Sequence, residues 1–406
     1  MNPAVWYPVV LFGSLWTAPV EITSARPYVF RTDSFEQVGP AGRFSQVLQL
    51  IEREGVPELV GKRHWSRVVA RHREAVESAD THDDFRNALN RMLKDSGVSH
   101  FAYYTDGDWS YWHLRGYFGD GGEDDHVAHI GVFPQQIEGR WFVRGVLEGG
   151  PADRAGLLVG DELISVEKEP YSPIHSFLGT AGQTLTMKIR RRPELVLAID
   201  LQPVRESLYG AMQRAIKKSI RIMDDGHLQF AYLHGWTLLG DREEYRELAK
   251  LQPFVDGLVL DYRDGFGGHP SGPLAFLLGR KDPWGKRLRP TWVKPVVILT
   301  ADGTRSAKEI VVHAVQKADR AVLIGEPTPG DVTSIGAVRQ VGSDGLLMLP
   351  GQVLELEGHS TKPDILMPRN IRYAAGADPQ LKVALAVLVD LLRSAEKEDV
   401  VQPNSR

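Results

Sequence analysis

Lys294-Pro295-Val296-Val297-Ile298-Leu299-Thr300-Ala301-Asp302-Gly303-Thr304-Arg305-Ser306-Ala307-Lys308-Glu309-Ile310 reads as a strand, a turn and a helix in succession. The largely apolar run over 293–299 predicts a buried strand. A turn follows, and a helix starts at or near Ser306 and continues over 307–315. On either side, apolar strand runs recur at 228–233, 255–260 and 321–324, and 346–356 reads as a further strand pair. Asp378-Pro379 opens a last helix, Asp as cap and Pro in the first turn, with Leu381, Ala384, Leu385, Leu388, Leu391 and Leu392 on one face. Strands alternating with helices predict an α/β layer fold from about Arg205 onward.

The strand–turn–helix also places a hydroxyl where chemistry is available. Backbone N–H groups at a helix N-terminus can meet a developing oxyanion beside Ser306. Taken alone, the segment reads Ser306 as a plain helix cap.

Composition narrows the chemistry. A chain of 406 residues predicts two or three domains, and 42% apolar with 25% charged residues excludes disorder over the whole length. A formal net charge of −4 provides no global basic field for nucleic acid. The chain has no cysteine, which removes thiol nucleophiles, disulfides, Cys-zinc sites and iron–sulfur clusters together. An enzyme of this composition works with hydroxyls, imidazoles, carboxylates, backbone amides or a bound cofactor.

No apolar run reaches the ~18–20 residues that cross a bilayer. The uncharged stretch 5–18, followed by Thr23-Ser24-Ala25, reads either as the apolar core of a secretory signal over 1–25 or as a buried N-terminal strand. The absence of Lys or Arg before Arg26 and the presence of Pro8 count against the signal and leave the two readings in balance. The reading taken is export, periplasmic or extracellular, with a cytoplasmic chain as the alternative.

Residues 26–125 read as a mainly helical region. Phe85, Ala88, Leu89, Met92 and Leu93 repeat at helical spacing between Thr81 and the helix stop Gly97. Ser99-His100 and an aromatic stretch follow, and a Gly- and Asp-rich loop over 116–125 marks a boundary. Short strand runs divided by Gly and Pro turns then fill 127–204. At their centre stands Gly149-Gly150-Pro151-Ala152-Asp153-Arg154-Ala155-Gly156-Leu157-Leu158-Val159-Gly160-Asp161-Glu162-Leu163-Ile164-Ser165-Val166. This run resembles the PDZ signature, a small β-domain able to take an extended peptide as an added strand. Residues 397–406 read as a frayed tail.

Some short motifs carry nothing. The stretch 279–286 has five residues between its glycines and Arg287 where a phosphate loop needs Ser or Thr. Gly265-Phe266-Gly267-Gly268 lacks the third glycine of a dinucleotide fingerprint. His126 and His129 beside Glu123, Asp124 and Asp125 read as a solvated acidic turn rather than a metal site. His227 reads as structural.

Three further segments stand in a telling order behind the PDZ-like unit. Asp261-Tyr262-Arg263-Asp264-Gly265-Phe266-Gly267-Gly268 precedes Ser306-Ala307-Lys308-Glu309, and Gly325-Glu326-Pro327-Thr328-Pro329-Gly330 follows it. Together they resemble the tail-specific, or C-terminal processing, serine proteases over roughly 127–395. One position departs from that pattern: the lysine general base of the processing branch, 25 residues after the nucleophile, is Asp331 here. The branch containing the tricorn core protease takes a histidine from the N-terminal helical region instead. Ser96-Gly97-Val98-Ser99-His100-Phe101 is similar to its pattern, and so is Glu357 six residues before Pro363-Asp364.

The resemblance implies a crotonase-like α/β catalytic domain over 205–396, with the PDZ domain inserted behind the helical region. It implies a serine endopeptidase in which Ser306 attacks, His100 is the base, and Ser99 and Glu357 orient the imidazole. The amides of Ala307 and of Gly267 or Gly268 would form the oxyanion hole. No metal or organic cofactor is needed. A polypeptide is the expected partner, its C-terminus a handle for the PDZ unit, and a homo-oligomer fits the family. The alternatives are a catalytically inactive peptide-binding scaffold, with Asp331 as the mark of lost chemistry, and a small-ligand carrier of the same fold.

Overall fold

The computed structural model describes residues 33–401, apart from 225, 241–242 and 282–285. The expectations for 1–25 and for most of the tail fall outside the described residues. Four helices come first: α1 (Phe35–Arg53), α2 (Val56–Val60), α3 (Lys62–Glu77) and α4 (His82–Lys94). Thr81 caps α4 by accepting from the amide of Asp84, and the apolar stripe read from the sequence, Phe85 to Leu93, is buried. Gly39, at φ 65° ahead of Pro40, kinks α1.

Strand β1 (Ala102–Thr105) leaves this helical region and pairs antiparallel with β18 (Gly345–Pro350), which pairs in turn with β17 (Ile335–Val341). Phe44, Phe85, Leu89 and Tyr103 share one core with Leu347 and Leu349. The helical region expected over 26–125 is therefore not self-contained. The expected strand pair in 346–356 also needs correcting: 345–350 is one strand, its partner lies upstream at 335–341, and 351–356 forms no strand. Gly351 closes tightly on Gly336, where an added Cβ would be 2.9 Å from the Gly336 Cα. Helix α5 (Trp109–Phe118) likewise runs into the sequence read as a boundary loop.

Strands β2 (Val127–His129) and β9 (Val204–Glu206) pair with each other and close off what lies between them. Inside are β3 (Val132–Ile137), β4 (Arg140–Val146), the short helix α6 (Pro151–Arg154), β5 (Glu162–Val166), β6 (Glu169–Pro170), β7 (Leu185–Arg192) and β8 (Leu195–Leu201). The sheet runs β3-β4-β5-β7-β8, so β3 is an edge strand. Gly160, at φ 94°, lies against the backbone of Ile371 and Ala374, where no Cβ fits. The carboxylate of Asp161 accepts from the Leu158 amide at 2.9 Å and pairs with Arg191 at 2.8 Å.

The remaining chain alternates as α7 (Leu208–Ser219), β10 (Arg221–Asp224), β11 (Gln229–His234), α8 (Glu243–Leu251), β12 (Gly257–Asp261) and α9 (Ser271–Leu278). A hairpin of β13 (Arg280–Lys281) and β14 (Arg287–Leu288), β15 (Val296–Thr300), α10 (Ala307–Lys317) and β16 (Val322–Gly325) follow. After β17 and β18 come β19 (Ile365–Leu366) and α11 (Pro379–Val401). The sheet order is β10-β11-β12-β15-β16-β19, parallel except for β10. Every residue of β12 and β15 is buried. Ala384 and Leu388 of α11 cover one face of the sheet, and Val311, Val312 and Val315 of α10 pack into the other.

Candidate active site

Ser306 lies between β15 and α10 with φ 59° and ψ −128°. A non-glycine residue in this region costs ~1–3 kcal/mol and persists only where its surroundings impose it. Here the amide of Ser306 donates to the carbonyl of Asp331 at 2.9 Å, and its carbonyl accepts from Glu309 at 2.9 Å. The hydroxyl makes no capping bond to the helix, so the plain-cap reading fails.

His100 also has a positive φ, 57°, two residues before β1. The pairing of Ala102 with Met348 carries it into the C-terminal half of the chain. Its Nδ1 is 3.1 Å from Ser99 Oγ, which is 3.0 Å from Glu357 Oε2. The Ser99 amide donates to Glu357 Oε1 at 2.7 Å, and the Val332 and Thr333 amides donate to Oε2 at 2.8 and 2.7 Å. Burial pushes the Glu357 carboxyl up, but these donors more than offset it and hold it below the ordinary range.

The network then specifies the protons. An ionised Glu357 only accepts, so the single hydroxyl proton of Ser99 points to it. Ser99 Oγ in turn accepts from Thr333 N–H at 3.2 Å and from His100 Nδ1–H. That tautomer leaves the lone pair on Nε2. Burial, with Arg305 adding to it, pushes the imidazole down to about 4 against the pull of Asp331 and Glu357, so it is neutral at neutral pH. Among the described residues no hydrogen bond joins His100 to Ser306.

Gly267 packs directly on the serine: a Cβ there would be 2.6 Å from Ser306 Cβ and 3.1 Å from the Ala307 nitrogen. The Gly267 carbonyl turns away to accept from Leu238 N and Thr237 Oγ1, at 2.8 and 3.0 Å. The amides of Gly267, Gly268 and Ala307 donate to no acceptor among the described residues. The preceding Asp261 and Arg263 do different work. Burial opposes both charges, yet they form a bidentate pair at 2.5 and 2.9 Å that also engages Asp378 at the start of α11.

Asp331 does not stand in for a lysine base; its side chain pairs with Arg305. The acidic turn at 123–125 is not wholly solvated, because Asp125 is buried against Arg115 at 3.1 Å. His129 is buried as well, and no group of three metal-ligating side chains occurs among the described residues. Sequence reasoning missed the amides of Val332 and Thr333, which carry no side-chain signal at all. It also missed Arg144 of β4, which reaches Asp264 at 2.5 Å beside the glycine loop.

A strained serine ahead of a helix, open amides around it, and a neutral imidazole held by a hydroxyl and a carboxylate are the parts that acyl transfer uses. Residues 229–365 match peptidase family S41, and residues 142–191 match the PDZ domain. The chain therefore contains a peptidase S41 domain together with a PDZ domain. Tricorn protease homolog 1 of Streptomyces coelicolor is 25% identical over 81% of this chain and 33% of its own length. The carboxy-terminal processing protease CtpB of Bacillus subtilis is 24% identical over 53% of this chain and 49% of its own. The chain thus spans about a third to a half of the length of these relatives. Among the described residues no helix is long and apolar enough to cross a membrane.

Proposed function

We propose that the chain is a serine endopeptidase acting on polypeptides through an acyl-enzyme on Ser306. The observation that carries the proposal is the chain Glu357–Ser99–His100, assembled from segments 258 residues apart and leaving Nε2 of a neutral imidazole as its only free base. Ser306 Oγ attacks the scissile carbonyl carbon as its proton passes to His100 Nε2. The amide of Ala307, with that of Gly267 or Gly268, holds the oxyanion; one such donor is worth ~2.7–4 kcal/mol of barrier. Collapse breaks the C–N bond, and Nε2 returns the proton to the leaving amine. Water then enters by the same base and frees Ser306. Ser99 and Glu357 keep the imidazole oriented and stabilise its charged form.

The catalytic domain, taken as 205–396, is read as crotonase-like, supported by its parallel sheet and the strand–turn–helix at Ser306. The unit 127–204 is read as the PDZ domain that binds substrate tails or gates access. Its edge strand β3 has one neighbour in the sheet, although Pro134 removes a donor from that edge. Export remains the reading for location, supported by the apolar stretch 5–18 and by a chloroplastic carboxyl-terminal-processing relative. A homo-oligomer is the proposed association.

The test is labelling with a fluorophosphonate. Modification on Ser306, absent in Ser306→Ala and lost in His100→Ala, supports the protease; a folded chain whose Ser306 stays inert refutes it.

A further inference from the structure

We infer that Glu309 is a positioning residue that keeps the nucleophile helix in register with the arm carrying His100. Its consequence for activity rests on the protease reading above; the geometry does not.

Glu309 sits in the first turn of α10 and is 2% exposed. An acidic residue there ordinarily faces the free amides of its own helix. Glu309 instead leaves the helix: Oε1 accepts from Gly330 N at 2.6 Å and Oε2 from Asp331 N at 2.7 Å. The next two amides, of Val332 and Thr333, go to Glu357. Two carboxylates thus hold four consecutive amides. One belongs to the helix that follows Ser306, and the other to the network around His100.

The same run touches the nucleophile directly, since the Asp331 carbonyl takes the Ser306 amide at 2.9 Å. Gly330, at φ 86°, closes on the Glu357 loop, its carbonyl accepting from Gly358 N at 2.9 Å. No hydrogen bond among the described residues joins Ser306 to His100, so their separation is set by what connects them. The run 330–333 is a connection that touches both. Displacing a catalytic group by about an ångström costs on the order of 100-fold in rate. Releasing one end of the run therefore acts on the chemistry although Glu309 itself touches no reacting atom.

The experiment is Glu309→Gln in the full chain, which keeps the volume and replaces one acceptor with an N–H donor. Hydrogen exchange is measured over 328–334 together with the rate of fluorophosphonate labelling across pH. The expected result is faster exchange at Val332 and Thr333, amides that Glu309 does not touch. Labelling at Ser306 slows by about 100-fold while the unfolding midpoint stays well above the assay temperature. Should Glu309→Gln fail to fold, Glu309→Asp, one methylene shorter with the charge kept, gives an intermediate loss in both readouts. Unchanged exchange at 332 and 333 overturns the inference, as does labelling within about twofold of the parent. A parent chain that no fluorophosphonate labels refutes the protease reading alone, and the exchange result then decides the positioning role by itself.

Discussion

The Ser99 hydroxyl donates to Glu357 Oε2 at 3.0 Å across 258 residues of chain, and Ser99 Oγ accepts Nδ1–H of its neighbour His100. Ser99→Ala removes the link and leaves Nδ1–H without that acceptor, a penalty of ~1–3 kcal/mol. Fluorophosphonate labelling is expected to fall about 10- to 100-fold with the fold intact. An unchanged rate removes Ser99 from the mechanism.

The pH dependence follows from His100, which burial, with Arg305, pushes down to about 4. A base that works neutral gives a labelling profile whose acid limb lies near that value rather than at 6.5. Burial also pushes His113 and His129 down to about 3. All three bind protons more weakly folded than unfolded. The stability gained by keeping them neutral is complete above about pH 6.5 and is lost as pH falls toward their folded values. Urea unfolding at about pH 7 and about pH 5 should show the loss, and a labelling midpoint near 6.5 contradicts the assignment of the base.

Strain at Ser306 has a stability signature. With φ 59°, Ser306→Gly should be more stable than Ser306→Ala by ~1 kcal/mol, because only glycine takes this backbone conformation without a Cβ clash. Urea denaturation of the two inactive variants measures it directly. Equal stabilities mean that the turn carries no strain.

Asp331 stands where the processing branch carries its lysine, but its side chain is engaged with Arg305. Asp331→Lys sets two cations side by side. In a His100→Ala background it should restore no labelling. Recovery of even about a tenth of the parent rate revives the lysine mechanism.

Asp264, fully buried, is shared by Arg144 at 2.5 Å and Arg369 at 2.6 Å. Arg144 comes from the PDZ sheet, so Arg144→Met tests how firmly that sheet holds the glycine loop. Removing one partner of a buried pair costs ~3–5 kcal/mol, and the remaining Arg369 places the loss at the lower end. A change below about 0.5 kcal/mol in urea unfolding shows that Arg369 suffices.

Much of the molecule was legible because its signals are local. The apolar run before Ser306, the stripe in α4 and the Gly-Asp turn of the PDZ unit each follow from periodicity or from one conformational demand. The strand pair near 346–356 was misread because a strand's partner is chosen by contacts remote in sequence. Gly336 and Gly351 close the real pair, and neither announces it.

The one-dimensional chain determined which groups exist for chemistry: no thiol, a serine ahead of a helix, a Ser-His pair after another, and an aspartate in place of a lysine. Periodicity and turn chemistry are properties of neighbours, so they survive in the sequence. Tertiary structure alone decided what those groups touch. β1 pairs with β18 and brings His100 to the C-terminal half, Glu357 reaches Ser99, and a run of backbone amides held by two carboxylates joins them to Ser306. Backbone amides have no identity in the sequence, and their partners are set by how distant segments pack.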